Sequence, residues 1–238
     1  MRIGVFDSGV GGLTVLNNLI KNYPNNEYIY YGDTKNIPYG NKTIEELKLL
    51  ASNIIDFLIE KKVDMIVIAC GTVSSNLASY LRNKYSIKII DIISPTINYL
   101  NNSDYNKIGV IATTNTINSK IFSSNINKDI KEVDCPNFVP LIENNNLNDL
   151  DKYIDLYLNN LKDREIVVLG CTHYPIIKDK IQNYLGDNIK LLDMSECIKF
   201  KEDNGINRVD LYFTKLNDEI FKNINNILNT QVDSINRL

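Results

Sequence analysis

The chain has 238 residues, of which 44% are hydrophobic and 23% are charged, and its formal net charge is −3. This composition excludes a largely disordered chain, because it supplies enough apolar surface for a core. The lysines and arginines are scattered, so we expect neither a nucleic acid nor a membrane surface as a partner. No apolar run approaches the ~18 residues of a membrane helix and no signal-peptide pattern is found, so the expected location is the cytoplasm.

Short apolar runs alternate with longer amphipathic stretches. Strands are predicted at 2–7, 27–33, 64–70, 87–93, 107–113, 165–171 and 189–194. Several of them are apolar throughout, which is typical of strands buried on both faces of a parallel sheet. The spacing of apolar residues predicts a helix over 44–62 and a closing amphipathic helix over 216–231. Such alternation predicts an α/β fold with parallel sheets.

Part of this pattern occurs twice. The segment RIGVFDS at 2–8 is echoed by KIGVIAT at 107–113, at an offset of 105 residues (107 − 2). The segment DMIVIACGT at 64–72 is echoed by REIVVLGCTH at 164–173, whose cysteine lies 101 residues (171 − 70) after that of the first copy. The similar offsets indicate two copies of one α/β unit, with chance likeness of short strand segments as the alternative.

Polar and nucleophilic side chains follow several predicted strands. They are Asp7, Ser8, Cys70, Thr72, Thr113, Cys171, Thr172 and His173. Ligands of open parallel sheets bind beyond the carboxyl ends of the strands, so two facing units would bring two thiols to one cleft from opposite sides. One thiolate and one thiol can remove a proton from one face of a carbon atom and return a proton to the other face. Because a free thiol has a pKa of about 8.5, each needs a neighbour, and Asp7 and His173 are available.

Five segments together resemble the motif series of glutamate racemases, which are cofactor-independent members of the aspartate/glutamate racemase superfamily. The segments are FDSGVGGLTVL (6–16), YGDTKNIPYG (31–40), ACGTVS (69–74), CPNFVPLIE (135–143) and GCTHYP (170–175), and RVDLYFTKLNDEIFKNINNIL resembles the terminal segment of that family. The resemblance implies two pseudo-symmetric α/β domains, each with an open parallel sheet, and an active site in the cleft between them. The implied first domain is discontinuous and comprises 1–95 and 206–238, and the second comprises 96–205.

Position by position, the resemblance implies Cys70 and Cys171 as the two acid/base residues. Asp7 would assist Cys70, and His173 would assist Cys171, with Glu143 nearby. The implied substrate-binding residues are Asp7, Ser8, Pro38, Tyr39, Gly40, Gly71, Thr72, Thr113, Thr116, Glu143, Thr172 and His173. The implied reaction interconverts L- and D-glutamate, needs neither cofactor nor metal, and supplies D-glutamate for bacterial peptidoglycan synthesis. The resemblance also implies a homodimer.

Gly71 departs from the family pattern, which has asparagine between this cysteine and threonine. If a water molecule or the backbone replaces the missing amide, Gly71→Asn should lower KM; a sharp rise would mean that the pocket requires glycine. A second departure, Asn115 in place of a small residue, is interpreted as minor. Cys135 and Cys197 are interpreted as structural thiols, and GVGG (9–12) as a tight strand–helix turn rather than a phosphate cradle.

Three alternatives remain open. One is racemisation of another acidic amino acid, particularly aspartate. Another is a hydrolase or lyase that uses one cysteine with His173, for which Cys70 and Cys171 would not both be essential. The last is a non-catalytic binding protein, which predicts thermal stabilisation by the ligand without turnover.

Overall fold

The computed structural model describes residues 1–144, 146, 148–201 and 205–238. The first half contains β1 (Arg2–Asp7), α1 (Gly12–Asn22), β2 (Glu27–Gly32), α2 (Ile44–Glu60), β3 (Met65–Ile68), α3 (Gly71–Lys84), β4 (Lys88–Asp91) and α4 (Ile93–Asn101). The second contains β5 (Lys107–Ala112), α5 (Thr114–Asn118), β6 (Asp129–Asp134), α6 (Phe138–Glu143), α7 (Leu150–Leu158), β7 (Ile166–Leu169), α8 (Lys178–Leu185) and β8 (Lys190–Asp193). The chain closes with β9 (Arg208–Phe213), α9 (Asp218–Ile227) and β10 (Ser234–Arg237). None of the helices so described is long and apolar enough to cross a membrane.

The described strands form two parallel sheets. The first sheet has the order β10–β9–β2–β1–β3–β4, and the second has the order β6–β5–β7–β8. In each sheet a central strand, β1 or β5, pairs with the strand that follows it and with the strand that precedes a predicted catalytic cysteine. The order β2–β1–β3–β4 therefore matches β6–β5–β7–β8, which confirms the predicted fold of two related open parallel-sheet units. The domain boundaries given above remain a prediction.

The central strands are buried because both faces of each sheet are covered by helices. All four residues of β3 and all four of β7 are buried. A single apolar cluster contains Val5 and Val67 of the first sheet together with Val110 and Val168 of the second. The continuous core therefore fixes the two sheets against each other and sets the width of the cleft between their ends.

The seven predicted strands are present, but β6, β9 and β10 were not predicted. The edge strand β6 (DIKEVD) has no fully buried residue, so it lacks the continuous apolar run that marked the central strands. The predicted helix over 216–231 is too long, because α9 ends at Ile227 and the chain then adds β10 beside β9. The strands β6 and β10 lie at sheet edges, where one side of the strand is unpaired and polar residues are tolerated. The strand β9 is paired on both sides, but its buried residues alternate with more exposed ones, so it also lacks a continuous apolar run.

Candidate active site

The carboxyl ends of the central strands open onto one cleft. Asp7 is the last residue of β1, and Cys70 and Cys171 lie two residues after β3 and β7. The residues at these strand ends enclose one narrow cleft, part of which is open to solvent. Most of the predicted site residues lie on its wall: Ser8, Pro38, Tyr39, Gly40, Cys70, Gly71, Thr72, Thr113, Cys171, Thr172 and His173.

Three predicted site residues lie one layer behind this wall. Asp7 and Thr116 are fully buried. The Thr116 hydroxyl is 3.1 Å from the Thr113 hydroxyl, and Glu143 hydrogen-bonds to His173. The structure thus brings the predicted set together, but places these three residues in contact with wall residues rather than on the wall itself.

Cys70 lies at the N-terminus of α3 and is 4% exposed. Its Sγ is 3.9 Å from the Ser8 hydroxyl oxygen. Burial, and after it the negative charge of Asp7, raise the pKa of the Cys70 thiol. Cys70 therefore holds its proton in the resting protein.

The surroundings of Cys171 are different. The Nδ1 atom of His173 is 3.7 Å from the Cys171 Sγ, and its Nε2 hydrogen-bonds to Oε1 of Glu143. Burial alone lowers the pKa of His173, but the hydrogen bonds with Cys171 and Glu143 outweigh burial and raise it well above the usual 6.5. The imidazole of His173 is therefore placed to exchange a proton with the Cys171 thiol.

The glycine-rich turn between β1 and α1 packs directly against the second sheet's side chains. A Cβ atom on Gly9 would lie 2.7 Å from Oε1 of Glu143, and one on Gly11 would lie 2.5 Å from Nδ1 of His173. Both distances are shorter than real Cβ contacts allow. These glycines let the backbone approach the other sheet, which agrees with the predicted tight turn.

Threonine hydroxyls form a polar strip that joins the two sheets across the cleft. The Thr72 and Thr113 hydroxyl oxygens are 3.0 Å apart, and Thr113 contacts Thr116 in turn. Thr72 also belongs to the first turn of α3, and the N-terminus of a helix attracts anions. The strip and the helix start provide donors for a carboxylate group.

The surroundings of Gly71 argue against the expectation that Gly71→Asn would lower KM. A Cβ atom at Gly71 would lie 2.8 Å from the carbonyl oxygen of Gly170, which is a backbone atom and cannot rotate away. The close approach of α3 to the segment before Cys171 therefore leaves no room for a side chain at residue 71 unless one of the two backbones shifts.

Two residues outside the predicted set support the wall residue Tyr39. Its hydroxyl donates to Oδ2 of the buried Asp33 at 2.6 Å. From the second sheet's side, Nδ2 of Asn115 donates to the carbonyl oxygens of Tyr39 and Lys42 at 3.3 and 3.0 Å. The interpretation of Asn115 as minor therefore does not fit the structure. The position of Asp33 directly after β2 could have indicated its place at this edge, whereas the sequence carries no signal for the contacts of Asn115.

Other wall residues are mostly not ionisable. They are Ile37, Asn41, Thr114, Cys135, Pro136, Val139, Pro140 and Gly170. Cys135 is fully buried in the apolar cluster of the second sheet, and burial raises the pKa of its thiol. Its surroundings thus agree with a structural role. Within the described ranges, no group of three histidine, cysteine, aspartate or glutamate residues is arranged to hold a metal ion.

The model of the Asp/Glu/Hydantoin racemase family matches residues 5–198. The chain belongs to this family. It is 42% identical to the glutamate racemase of Thermoanaerobacter pseudethanolicus over 80% of this chain and 75% of that protein. It is 34% identical to the glutamate racemase of Aquifex aeolicus over 98% and 96% of the two chains. The crystal structure of Francisella tularensis glutamate racemase with D-glutamate superimposes with a TM-score of 0.86 at 31% identity, covering 100% of this chain and 97% of that one.

Membership of the racemase family assigns the chain to the isomerases, as the resemblance implied. The cleft described above has one thiol on each sheet's side of it.

Proposed function

We propose that this racemase interconverts L- and D-glutamate by proton transfer between Cys70 and Cys171. The observation that carries the proposal is the pair of thiols at equivalent ends of β3 and β7, one from each matched sheet, on the wall of one cleft. The glutamate racemases among the relatives support glutamate over aspartate as the substrate.

Proton removal begins at Cys171, which has the protonated His173 beside it. The thiolate takes the α-proton, and the electron pair of the C–H bond passes to the α-carbon and its carboxylate. Cys70 then gives its thiol proton to the opposite face, which leaves a thiolate at Cys70 and a thiol at Cys171. The reverse direction uses the same groups with their roles exchanged, and each thiol exchanges protons with its own neighbour.

Burial makes these transfers effective. Cys70 and Cys171 are only 4% and 6% exposed. With little water present, the donors of α3 and of the threonine strip act strongly on the charge that develops at the carboxylate. They lower the barrier because they are already oriented when the proton leaves.

One observation favours a second candidate function. Glu143, His173 and Cys171 are joined in a row by hydrogen bonds, the order in which a thiol nucleophile, its base and an orienting carboxylate stand in thiol hydrolases. A single-cysteine hydrolase or lyase would leave Cys70 without a chemical task.

The deciding experiment compares Cys70→Ser with Cys171→Ser. Optical rotation and deuterium incorporation at the α-carbon are followed from each enantiomer of glutamate in deuterated water. The proposal expects either substitution to reduce racemisation by about 10²–10⁴-fold. Full activity of Cys70→Ser on a hydrolysable substrate, with no racemisation by the native chain, would support the hydrolase. A faster native rate on aspartate would change the substrate but keep the mechanism.

The proposal extends to the cell. D-glutamate formed in the cytoplasm would supply peptidoglycan synthesis, and the active protein would be a homodimer built from chains with the two-domain division given above. Growth of a D-glutamate-requiring bacterium on expression of the chain tests the first part. Light scattering of the purified protein tests the second.

A further inference from the structure

Two hydrogen bonds cross between the sheets and end on the carboxylates that serve the acid/base groups. The Thr172 hydroxyl donates to Oδ1 of Asp7 at 3.3 Å. The Val10 amide donates to Oε1 of Glu143 at 3.4 Å. Each donor therefore belongs to one side of the cleft, and each carboxylate belongs to the other.

The carboxylate of Asp7 is held differently at its two oxygens. Oδ2 accepts from the amides of Gly9 and Gly12, at 3.1 and 2.9 Å, within its own turn. For Oδ1, the donor found among the described residues is Thr172. Asp7 is fully buried and Thr172 is 4% exposed, so bulk water does not readily replace this bond. A buried carboxylate oxygen without a donor is costly, so the Thr172 hydroxyl fixes the orientation of the Asp7 carboxylate.

The position of Thr172 is itself fixed from the first sheet's side. The Thr14 hydroxyl of α1 lies 3.0 Å from the Thr172 carbonyl oxygen and 2.8 Å from the Gly11 carbonyl oxygen, so its one proton is shared between these two acceptors. The backbone of Thr172 is thus held where its side chain reaches Asp7.

We propose that Thr172 is a positioning residue for Asp7, and through Asp7 for Cys70, although its neighbour in the chain is Cys171. This inference rests on the proposed racemisation of glutamate. Thr172 would then affect the proton transfer at Cys70, although its place in the sequence suggests an effect on the transfer at Cys171. In the same way the Val10 amide serves the Glu143–His173 side, so each acid/base group is complete only when the two sheets are together.

The test is the α-deuterium isotope effect on kcat/KM, measured from α-deuterated L-glutamate and from α-deuterated D-glutamate. Thr172→Val keeps the shape and removes the hydroxyl, and Thr172→Ser is the matched control that keeps it. Slower transfer at Cys70 raises the isotope effect for the enantiomer whose proton Cys70 removes. It lowers the effect for the other enantiomer, because Cys70 then delivers a solvent proton in the slow step. We expect kcat/KM to fall about tenfold in Thr172→Val.

Two further variants show which of the two cysteines each isotope-effect shift belongs to. Asp7→Asn should shift the two isotope effects in the same sense as Thr172→Val, and Glu143→Gln should shift them in the opposite sense. The inference would be overturned if Thr172→Val shifted the two isotope effects in the same sense as Glu143→Gln. It would also be overturned if Thr172→Val raised KM and left both isotope effects unchanged. An equal defect in Thr172→Ser would do the same. If Thr172→Val does not fold, the same isotope effects are measured on Thr172→Ala instead. Failure of the native chain to racemise glutamate would instead refute the proposed function.

Discussion

Substitution of Gly71 by alanine adds one methyl group at the closest approach of the two sheets. The new Cβ would lie 2.8 Å from the Gly170 carbonyl oxygen, whereas ordinary contacts begin at 3.4 Å. One backbone must therefore move by about 0.6 Å (3.4 − 2.8). The Gly170 amide donates to the Ile111 carbonyl at 2.7 Å, so its strand resists the shift, and the displacement passes to Cys171 next to it.

A misplacement of about 1 Å in an active site can cost about 10²-fold in rate, and overpacking of this kind costs about 1–3 kcal/mol of stability. We therefore expect Gly71→Ala to lower kcat/KM by about 10–100-fold and to lower Tm by several degrees. The larger Gly71→Asn should be worse on both counts. Steady-state polarimetry on both enantiomers and thermal melting of the same samples give the two numbers.

Gly205→Ala is a matched control. Its Cβ would also lie 2.8 Å from a backbone oxygen, that of Asn25, at the end of the sheet away from the cleft. It should reduce Tm and leave kcat and KM unchanged. Native kcat/KM in Gly71→Ala, or a lower KM in Gly71→Asn, would refute the reasoning and restore the view that this position simply lacks a substrate-binding amide.

Three other substitutions test the supporting contacts. Since the folded-state pKa of His173 is raised, the stability from its charge is complete below about pH 6.5 and is lost as the pH rises through the folded pKa. Glu143→Gln should therefore lower Tm most near pH 6. A difference in Tm between the native chain and Glu143→Gln that does not change with pH would contradict this. Asn115→Ser removes two hydrogen bonds to the 39–42 turn and should raise KM about threefold to tenfold with less effect on kcat. An unchanged KM in steady-state assays would show that these two bonds do not position Tyr39 for the substrate. Cys135→Ala should keep kcat/KM within about twofold and lower Tm by a few degrees, whereas a loss comparable to that of Cys171→Ser would make Cys135 part of the chemistry.

The central strands were predictable because burial on both faces requires a continuous run of apolar residues in the sequence. The repeat that links Cys70 to Cys171 was visible for the same reason, since equivalent strands need equivalent apolar runs. The strands β6 and β10 lie at edges, where charged residues are acceptable and such a run is absent. Their place depends on pairing with a neighbour rather than on their own composition.

The site shows the same division between local and distant causes. Strand ends and motif segments identified most of the wall, including Thr113 and His173. The support of Tyr39 by Asn115, and of Asp7 by Thr172, joins residues 76 and 165 positions apart. Such contacts arise only when the two sheets pack together, so no local sequence pattern predicts them. The clash at Gly71 is likewise visible only once the Gly170 backbone is in place.

The matched strand orders of the two sheets have a consequence for the proposed reaction. Units made of L-amino acids can be related to each other by rotation but never by reflection, whereas the two glutamate enantiomers are related by reflection. The pseudo-twofold protein therefore meets the two mirror-image substrates with different groups, Asp7 on one side and His173 with Glu143 on the other. Turnover numbers for the two enantiomers are then free to differ. Their kcat/KM values must nevertheless agree, because mirror-image solutes have the same free energy in water, so the enantiomer that reacts faster at saturation has the higher KM.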